Sequence, residues 1–332
     1  MQNHLISTLI IAKIFFAILS FSFFAVYLQL DMFTYPDYYK VYSNCTEISP
    51  VNIFYSKFFC SVSYITDRPI AFDSIYFIFA AALINMLILI GYFKLCEKHL
   101  NKYGKYLLII LFVIHPYMNI YFFRFYTDLF ASLGIFLMFF YKMKNMNINI
   151  FFVISAIVLM NFRVALIPVF IAYSLWEIYS QYICNNYKKF FYPILLVFIS
   201  LLSYVPVMEF SSNFANINSE ENLLGKIISN IIFALGFRES FAISRIFIGG
   251  EHWADILLLM FSIILITIHA TGLFGFIKFS LLKKDLSMLI IFIYLLAPIF
   301  AIAHMRYLIP LMPILLFGYA YLFFSQEKHS LQ

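Results

Sequence analysis

Residues 14–30 read IFFAILSFSFFAVYLQL, a run without a single charged residue. At 1.5 Å per residue a helix of this length is about 26 Å long, close to the thickness of the hydrocarbon layer of a bilayer. Comparable apolar runs recur along the chain, which is 64% hydrophobic and only 11% charged. Soluble domains are about half apolar and a quarter charged. The sequence therefore predicts an all-α polytopic membrane helix bundle, one integral membrane domain over residues 1–332.

Hydropathy predicts about ten membrane-spanning helices. They are expected near residues 7–30, 73–95, 105–121, 127–142, 148–162, 164–183, 190–208, 254–277, 286–303 and 306–324. Two longer segments between them, about 31–72 and 209–253, are predicted on the outer side. The first contains an apolar and aromatic stretch that suits a helix lying in the membrane interface, and the second contains a stretch that suits an interfacial or a re-entrant helix.

The basic residues predict the orientation. With the N-terminus placed inside, 13 of the 22 Lys and Arg residues fall in inner segments, and all 13 are lysines, Lys13 among them. Because Lys and Arg accumulate on the cytoplasmic side, we expect both termini in the cytoplasm. This orientation is compatible with a bacterial inner (plasma) membrane, or with the ER membrane if the protein is eukaryotic. The net charge of +6 does not indicate nucleic-acid binding, since the lysines lie between helices and not in one basic stripe.

Two carboxylates stand where the first apolar run ends. Asp31 follows residues 14–30 directly, and Asp37 comes six residues later in LDMFTYPDYYKVY. A carboxylate at a helix end near the bilayer surface is a candidate general base, although acidic residues are also common at such ends for topological reasons. We predict that Asp31, held at the helix end, is the base, with Asp37 as the second candidate.

Two further constellations place charges inside apolar runs on the same predicted side. Arg124 and Asp128 lie four residues apart after Pro116, which is expected to kink or end its helix. If the helix continues they share one face, so a mutual salt bridge is the structural alternative to substrate binding. Arg163 interrupts the apolar run 160–170. Its structural alternative is a side chain that extends to the interface, whereas arginine is also the natural partner of a phosphate oxygen.

The last constellation lies between the final two predicted spans. His304, Arg306 and Tyr307 precede two prolines that are expected to open the last helix. Histidine with arginine binds anions, and a polar turn with interfacial anchors is the structural alternative. Topology places all four constellations on one membrane face. A base beside an anion clamp suits transfer from a phosphate-linked donor to a hydroxyl group, because the base takes the proton and the cations hold the departing phosphate.

Four motifs carry a family resemblance. They are Asp31 and Phe33 with a later Tyr42, Tyr126-Thr127-Asp128, Asn161-Phe162-Arg163, and HMRYLIPLMP at 304–313. In their order and common membrane face they resemble the GT-C superfamily of membrane glycosyltransferases, and most of all the dolichyl-phosphate-glucose α-1,2-glucosyltransferases. Met32 stands where that superfamily often has glutamate, and the Gln-Thr-Asn expected after the arginine of the third motif is absent.

The resemblance implies a GT-C-like fold and an inverting transfer in a cavity open to the extracytoplasmic side. It implies a polyprenyl-phosphate-linked sugar as donor, undecaprenyl phosphate in bacteria, and a lipid-linked or surface glycan as acceptor. No metal or other cofactor is implied. The implied binding residues for the lipid phosphate or sugar are Arg124, Asp128, Arg163, His304, Arg306 and Tyr307. The abundance of Ile, Phe, Asn and Lys suits an AT-rich bacterial surface-polysaccharide locus.

Two other functions fit the same pattern. A polymerase of O-antigen or capsule repeat units shares the many spans and the outer arginines, but it need not depend on Asp31 or Asp37. A flippase or transporter for a lipid-linked sugar is the third reading, although the halves of the chain show no pairing of the kind that transporters often have. Cys45 and Cys60 fall in the same outer segment, where an oxidising compartment permits a disulfide between them.

Overall fold

A computed structural model describes residues 2–27, 60–61, 75–125, 127–215, 253–300 and 305–326. The described α-helices are α1 (Gln2–Tyr27), α2 (Ile75–Cys96), α3 (Lys102–Ile114), α4 (Pro116–Ile120), α5 (Thr127–Met143), α6 (Ile150–Phe162), α7 (Ile167–Ile183), α8 (Phe191–Ala215), α9 (Trp253–Leu282) and α10 (Met312–Phe324). Two longer 3₁₀ segments, Leu286–Phe300 and Met305–Leu311, precede α10. Since these ranges contain no strand, the predicted all-α class is confirmed for the part of the chain that is described.

Three helical segments are long and apolar enough to cross a membrane on their own. They are Ile75–His99, Val164–Ile183 and Ile263–Leu282. Shorter apolar helices lie at His4–Ser20, Ile150–Phe162, Phe191–Ser203, Leu286–Leu295 and Leu308–Phe324. This count covers only the residues described above. Each of the ten predicted segments contains some described helical residues, but the number of membrane-spanning helices stays a prediction. The predicted outer segments 31–72 and 209–253 lie largely outside the described ranges.

Exposed and buried residues are distributed as expected for a protein in lipid. Apolar side chains such as Phe79 (70% exposed) and Phe151 (75% exposed) point outward from α2 and α6. Several charged side chains within the helices and their breaks are buried instead, with Lys13 at 0% and Arg163 at 5% exposure. In a soluble protein charged side chains are almost never buried to this extent. The arrangement therefore agrees with the membrane assignment from composition.

Pro116 breaks the third predicted span, as expected from its missing N–H group. Helix α3 ends at Ile114, and α4 begins at Pro116. In a continuous helix the carbonyl of Phe112 would accept a bond from residue 116, but proline has no N–H to donate. The ammonium of Lys13 from α1 donates to this carbonyl instead, over 2.9 Å. Broken helices are tolerated at membrane depth only where other groups satisfy the freed carbonyls.

The position of Lys13 corrects the charge count used for orientation. The sequence placed Lys13 at the inner end of a span beginning at residue 7, but α1 already begins at Gln2. Eleven residues of helix put Lys13 about 16 Å along α1, and the structure buries it completely. It is an internal polar residue, and the inner excess of lysines rests on the other twelve.

The last described helix, α10, connects the end of the chain to helices from its first half. Helix α10 packs along α9 and against α3. At its end the carbonyl of Phe324 accepts a bond from the Asn101 N–H over 3.0 Å, and the Gln326 side chain donates to the Leu100 carbonyl over 2.9 Å. Asn101 also caps α3 by accepting from the Gly104 N–H. The start of α3 is thereby fixed by both a local cap and a distant helix.

The cysteines bear on the orientation of the chain. Cys60 is disulfide-bonded, whereas Cys96 and Cys184 carry free thiols. Cys45, the partner predicted from the sequence, lies outside the described residues. Disulfides persist in oxidising compartments and thiols in reducing ones. This division agrees with the predicted outer position of residue 60.

The exposed thiol of Cys184, in the turn between α7 and α8, gives a test of orientation. A membrane-impermeant maleimide is expected to leave Cys184 unlabelled in intact cells and to label it once the membrane is opened, since the turn is predicted on the cytoplasmic side. Mass spectrometry of the labelled protein measures this. The Cys184→Ser variant is the control and should show no label, because Cys96 is buried. Labelling of Cys184 in intact cells would reverse the orientation.

Candidate functional site

A mostly apolar cleft with a few polar groups is lined by residues of two of the four sequence constellations, and Arg163 of a third pairs with its lining residue Asp128. Its walls are Asn85, Ile88, Leu89, Met118, Tyr121, Phe122, Arg124, Asp128, Leu129, Ser132, Ile309 and Pro313. These residues come from α2, from the 3₁₀ segment Met305–Leu311 with the start of α10, from α5, and from the chain between α3 and α5. The volume is about 30 Å³, enough for roughly two water molecules. The described residues thus form the floor of a site and do not enclose a whole sugar.

A buried ion pair stands at one wall of the cleft. Arg163 Nη2 lies 3.1 Å from Asp128 Oδ1, and the two side chains are 6% and 3% exposed. Arg163 Nη1 also donates to the Thr127 hydroxyl over 3.0 Å. Thr127 and Asp128 form the first turn of α5, where the helix dipole favours a negative charge. The pair therefore joins α5 to the end of α6.

Local sequence explains why Arg163 points inward. Its N–H bonds the Leu159 carbonyl and closes α6, and its backbone is extended (φ −144°, ψ 98°). A short 3₁₀ turn follows, and Pro168 then lies in the first turn of α7, where a missing N–H is tolerated. The break between α6 and α7 turns the chain at Arg163, so the arginine is placed inside the bundle.

Two structural alternatives from the sequence are wrong. Arg124 does not share a helix with Asp128, because α5 begins only at Thr127, and the ion pair of Asp128 is with Arg163. Arg163 does not extend to the interface, since its side chain is 6% exposed and directed at α5. The sequence spacing suggested a pair within one helix, and the structure forms a pair between helices instead.

Asp128 retains hydrogen-bonding capacity toward the cleft. Within the described residues neither of its carboxylate oxygens has a hydrogen-bond partner, although Oδ1 is ion-paired. The Ser132 hydroxyl is occupied, since it donates to the Asp128 backbone carbonyl over 2.9 Å. Because buried carboxylates are costly unless their lone pairs are used, Asp128 is suited to accept hydrogen bonds from hydroxyl groups of a ligand.

Arg124 contributes a second cation to the cleft. Its guanidinium carbon lies 4.9 Å from the centre of the Tyr121 ring, within the range of a cation–π contact. Both residues line the cleft and belong to residues 115–125, which we call the connecting segment. A planar guanidinium stacks on an aromatic ring and also matches the geometry of a phosphate or carboxylate.

The connecting segment is fastened to three other helices. The Asn85 side chain of α2 donates to the Phe122 carbonyl over 3.0 Å. The Nε2 atoms of His115 and His269 approach to 3.0 Å, which ties the segment to α9. Lys13 of α1 donates to the Asn119 side-chain oxygen. Polar contacts from three directions thus fix the path that carries the lining residues of the segment into the cleft.

The remaining predicted site residues have different outcomes. Asp31, Asp37, Tyr126 and His304 lie outside the described residues. Arg306 and Tyr307 belong to the 3₁₀ segment Met305–Leu311, which packs against α5, and only their backbone is described. Ile309 and Pro313 from the same motif line the cleft. The structure therefore brings together Arg124, Asp128, Arg163 and the C-terminal motif.

Sequence reasoning missed several polar residues around the cleft. Asn85 is the one residue with a side-chain amide in the apolar helix α2, and His269 is the one histidine in α9. Such isolated polar residues inside apolar runs are the signal that would have found them, since they are costly in lipid unless they have a partner. Lys13 carried the same signal but was interpreted as a topological charge.

The cleft suits recognition of an anionic, hydroxyl-bearing ligand. Arg124 supplies a cation, and the Arg163–Asp128 pair supplies a fixed carboxylate. Among the described residues, no group of three or more His, Cys, Asp or Glu side chains is placed to hold a metal ion. Comparison of the chain with protein-family models, with curated proteins and with solved structures gives no match.

Proposed function

We propose that the protein is a multi-pass membrane glycosyltransferase of GT-C type. It transfers a sugar from a polyprenyl-phosphate donor to a lipid-linked or surface glycan on the extracytoplasmic face of a bacterial inner membrane. About ten spans with both termini in the cytoplasm belong to this proposal. No cofactor is required in this scheme, because the donor already carries an activated sugar.

The observation that supports this proposal best is the convergence of distant motifs. The Tyr-Thr-Asp motif at 126–128 and the Asn-Phe-Arg motif at 161–163 lie more than thirty residues apart in sequence, yet Asp128 and Arg163 pair over 3.1 Å. The Pro-rich motif at 304–313 lines the same cleft. These are three of the four motifs on which the resemblance to GT-C enzymes depends, and a burial of charge at membrane depth usually serves function.

The proposed mechanism assigns one role to each group. A carboxylate of Asp31, or of Asp37, takes the proton of the acceptor hydroxyl. The hydroxyl oxygen then bonds to the anomeric carbon from the side opposite the phosphate, and the bond between that carbon and the phosphate oxygen breaks. Polyprenyl phosphate leaves with the bonding electrons, and Arg124 stabilises its charge. Asp128, held by Arg163, accepts hydrogen bonds from hydroxyl groups of the sugar.

The test is the glycan made without the protein. Deletion of the gene is expected to yield a surface glycan that lacks one side-branch sugar, and membranes containing the protein are expected to restore it from an undecaprenyl-phosphate sugar. Mass spectrometry of the glycan measures both. A single unpolymerised repeat unit in the deletion strain would instead identify a repeat-unit polymerase. Exchange of a lipid-linked sugar across proteoliposomes without a new glycosidic bond would identify a transporter.

Two substitutions test the mechanism separately from the substrate. Asp31→Asn or Asp37→Asn is expected to abolish transfer without changing the amount of folded protein, because asparagine keeps the size of the side chain but cannot take a proton. Transfer by purified variants in nanodiscs measures this. If both variants keep the activity of the wild type, neither aspartate is the base and the transferase mechanism is wrong.

A further inference from the structure

We infer that Lys13 is a positioning residue for the cleft, which acts by holding the connecting segment where Arg124 and Tyr121 face the ligand. Lys13 does not line the cleft itself. It lies on α1, one layer behind the segment, and is fully buried. The inference rests on the proposed function only in taking a phosphate group as the ligand of Arg124.

Burying a lysine side chain at this position costs free energy. A charged side chain at membrane depth is costly even by the lower scales for membrane insertion. Well-packed apolar residues commonly replace buried charges without loss of stability. An apolar residue at position 13 would therefore be expected to stabilise α1 as well as lysine does. The role of Lys13 is indicated by the contacts of its ammonium group.

Those contacts match the broken end of α3. The ammonium group donates to the Phe112 carbonyl, which Pro116 leaves without a helical partner, and to the Asn119 side chain. The Asn119 amide in turn donates to the Val113 carbonyl over 2.9 Å. The C-terminal end of a helix carries partial negative charge and favours a cation. Lys13 and Asn119 together replace the hydrogen bonds that the break removes, and so they determine where α4 starts.

The same ammonium group also reaches the cleft wall. It lies 5.6 Å from the centre of the Phe122 ring, and Phe122 lines the cleft. Between Asn119 and Phe122 the chain makes a tight turn, closed by the Asn119 carbonyl and the Phe122 N–H. Tyr121 lies within this turn and Arg124 follows it, and the Arg124 N–H bonds the Tyr121 carbonyl over 3.2 Å. Two consecutive turns thus connect Asn119 to Arg124, the cation of the cleft, five residues later.

A double-mutant cycle tests this route. Binding of undecaprenyl phosphate to the full-length protein in nanodiscs is measured for wild type, Lys13→Met, Arg124→Gln and the double variant. Arg124→Gln is expected to weaken binding by roughly 10- to 100-fold, the loss of a charged hydrogen bond. Lys13→Met is expected to weaken it about 10-fold, and the double variant no more than Arg124→Gln alone, because coupled residues are not additive. Additive losses would show that Lys13 does not act through Arg124 and would overturn the inference.

Lys142→Met is the matched control. Lys142 is a second largely buried lysine, paired with Glu177 over 2.5 Å and remote from the cleft lining. It is expected to lower thermal stability as Lys13→Met does while leaving the affinity for undecaprenyl phosphate unchanged. If Lys142→Met weakens binding as much as Lys13→Met, the loss reflects general destabilisation and the inference is wrong.

A second measurement does not depend on the ligand. In a Cys184→Ser background, Tyr121→Cys places a thiol on the connecting segment, whereas of the other described cysteines Cys96 is buried and Cys60 is disulfide-bonded. Mass spectrometry of the peptides assigns the label to residue 121. Adding Lys13→Met is expected to change the rate at which a soluble maleimide labels residue 121 by at least about 10-fold, as the segment shifts. An unchanged labelling rate overturns the inference. If wild type does not bind undecaprenyl phosphate, the proposed function fails, and this rate alone decides the role of Lys13.

Discussion

Arg163→Met is expected to lower the free energy of unfolding by about 3–5 kcal/mol, because it leaves the Asp128 carboxylate charged and unpaired inside the bundle. The side chain of Asp128 is 3% exposed, so the few water molecules that fit in the cleft do not solvate its charge as bulk water would. The methionine keeps most of the length of the side chain and removes only its charge and its bond to Thr127. Unfolding of the purified protein by denaturant, followed by circular dichroism, measures the loss.

The double variant Asp128→Leu/Arg163→Met separates stability from function. With both charges removed, the free energy of unfolding is expected to return to within about 1 kcal/mol of the wild type or to exceed it. Transfer activity is expected to stay absent, since the carboxylate that faces the cleft is gone. The matched variant Lys142→Met/Glu177→Leu removes the other buried pair and should remain active. Recovery of activity in the variant Asp128→Leu/Arg163→Met would show that Asp128 and Arg163 stabilise the fold but take no part in transfer.

Gly318→Ala is expected to destabilise the protein by about 1–3 kcal/mol or more, because helices α9 and α10 are in backbone contact at this point. A Cβ atom on Gly318 would lie 2.0 Å from the Gly272 carbonyl oxygen and 2.8 Å from the Phe276 nitrogen. Both are backbone atoms, so no side-chain rotation relieves the overlap and the two helices must separate. The temperature of unfolding in detergent micelles measures the effect.

Gly134→Ala is the matched control for this glycine. Its added Cβ would meet Leu166 Cδ1 at 2.6 Å, the far end of a flexible side chain that is able to turn aside. Its cost is therefore expected to be well below that of Gly318→Ala. Equal losses for both substitutions would mean that the backbone contact between α9 and α10 has no special weight in the stability of the bundle.

Apolar periodicity and proline positions predicted most of the helices. Residues 127–142 were predicted as one span and form α5 at Thr127–Met143, and Pro116 was expected to end its helix and does so. Such features depend on local chemistry, which a sequence displays directly. The start of α1 was misplaced by five residues, because residues 2–6 are partly polar and hydropathy does not report capping or packing against α3.

The sequence singled out the charged residues around the cleft but did not predict which of them form an ion pair. Arg124, Asp128 and Arg163 were selected because charges are rare in apolar runs, and that reasoning needs only the sequence. Which arginine pairs with Asp128 depends on how α5 and α6 pack, which spacing along the chain does not encode. The role of Lys13 was missed for the same reason, since Phe112 lies 99 residues away from it. Asp31, Asp37 and His304 remain predictions, as they lie outside the described residues.

The contact of α10 with α3 has a consequence for biosynthesis. Ile309 and Pro313 complete the wall of the cleft, and the ties from Phe324 and Gln326 to the start of α3 hold α10 in place. Helices enter the membrane in the order of translation, so Lys13, Arg124, Asp128 and Arg163 are inserted well before residue 309 leaves the ribosome. During that interval Arg124 and Asp128, which line the cleft, lack the wall that Ile309 and Pro313 later supply. The cleft is therefore completed only when residues 309–326 are inserted, late in synthesis.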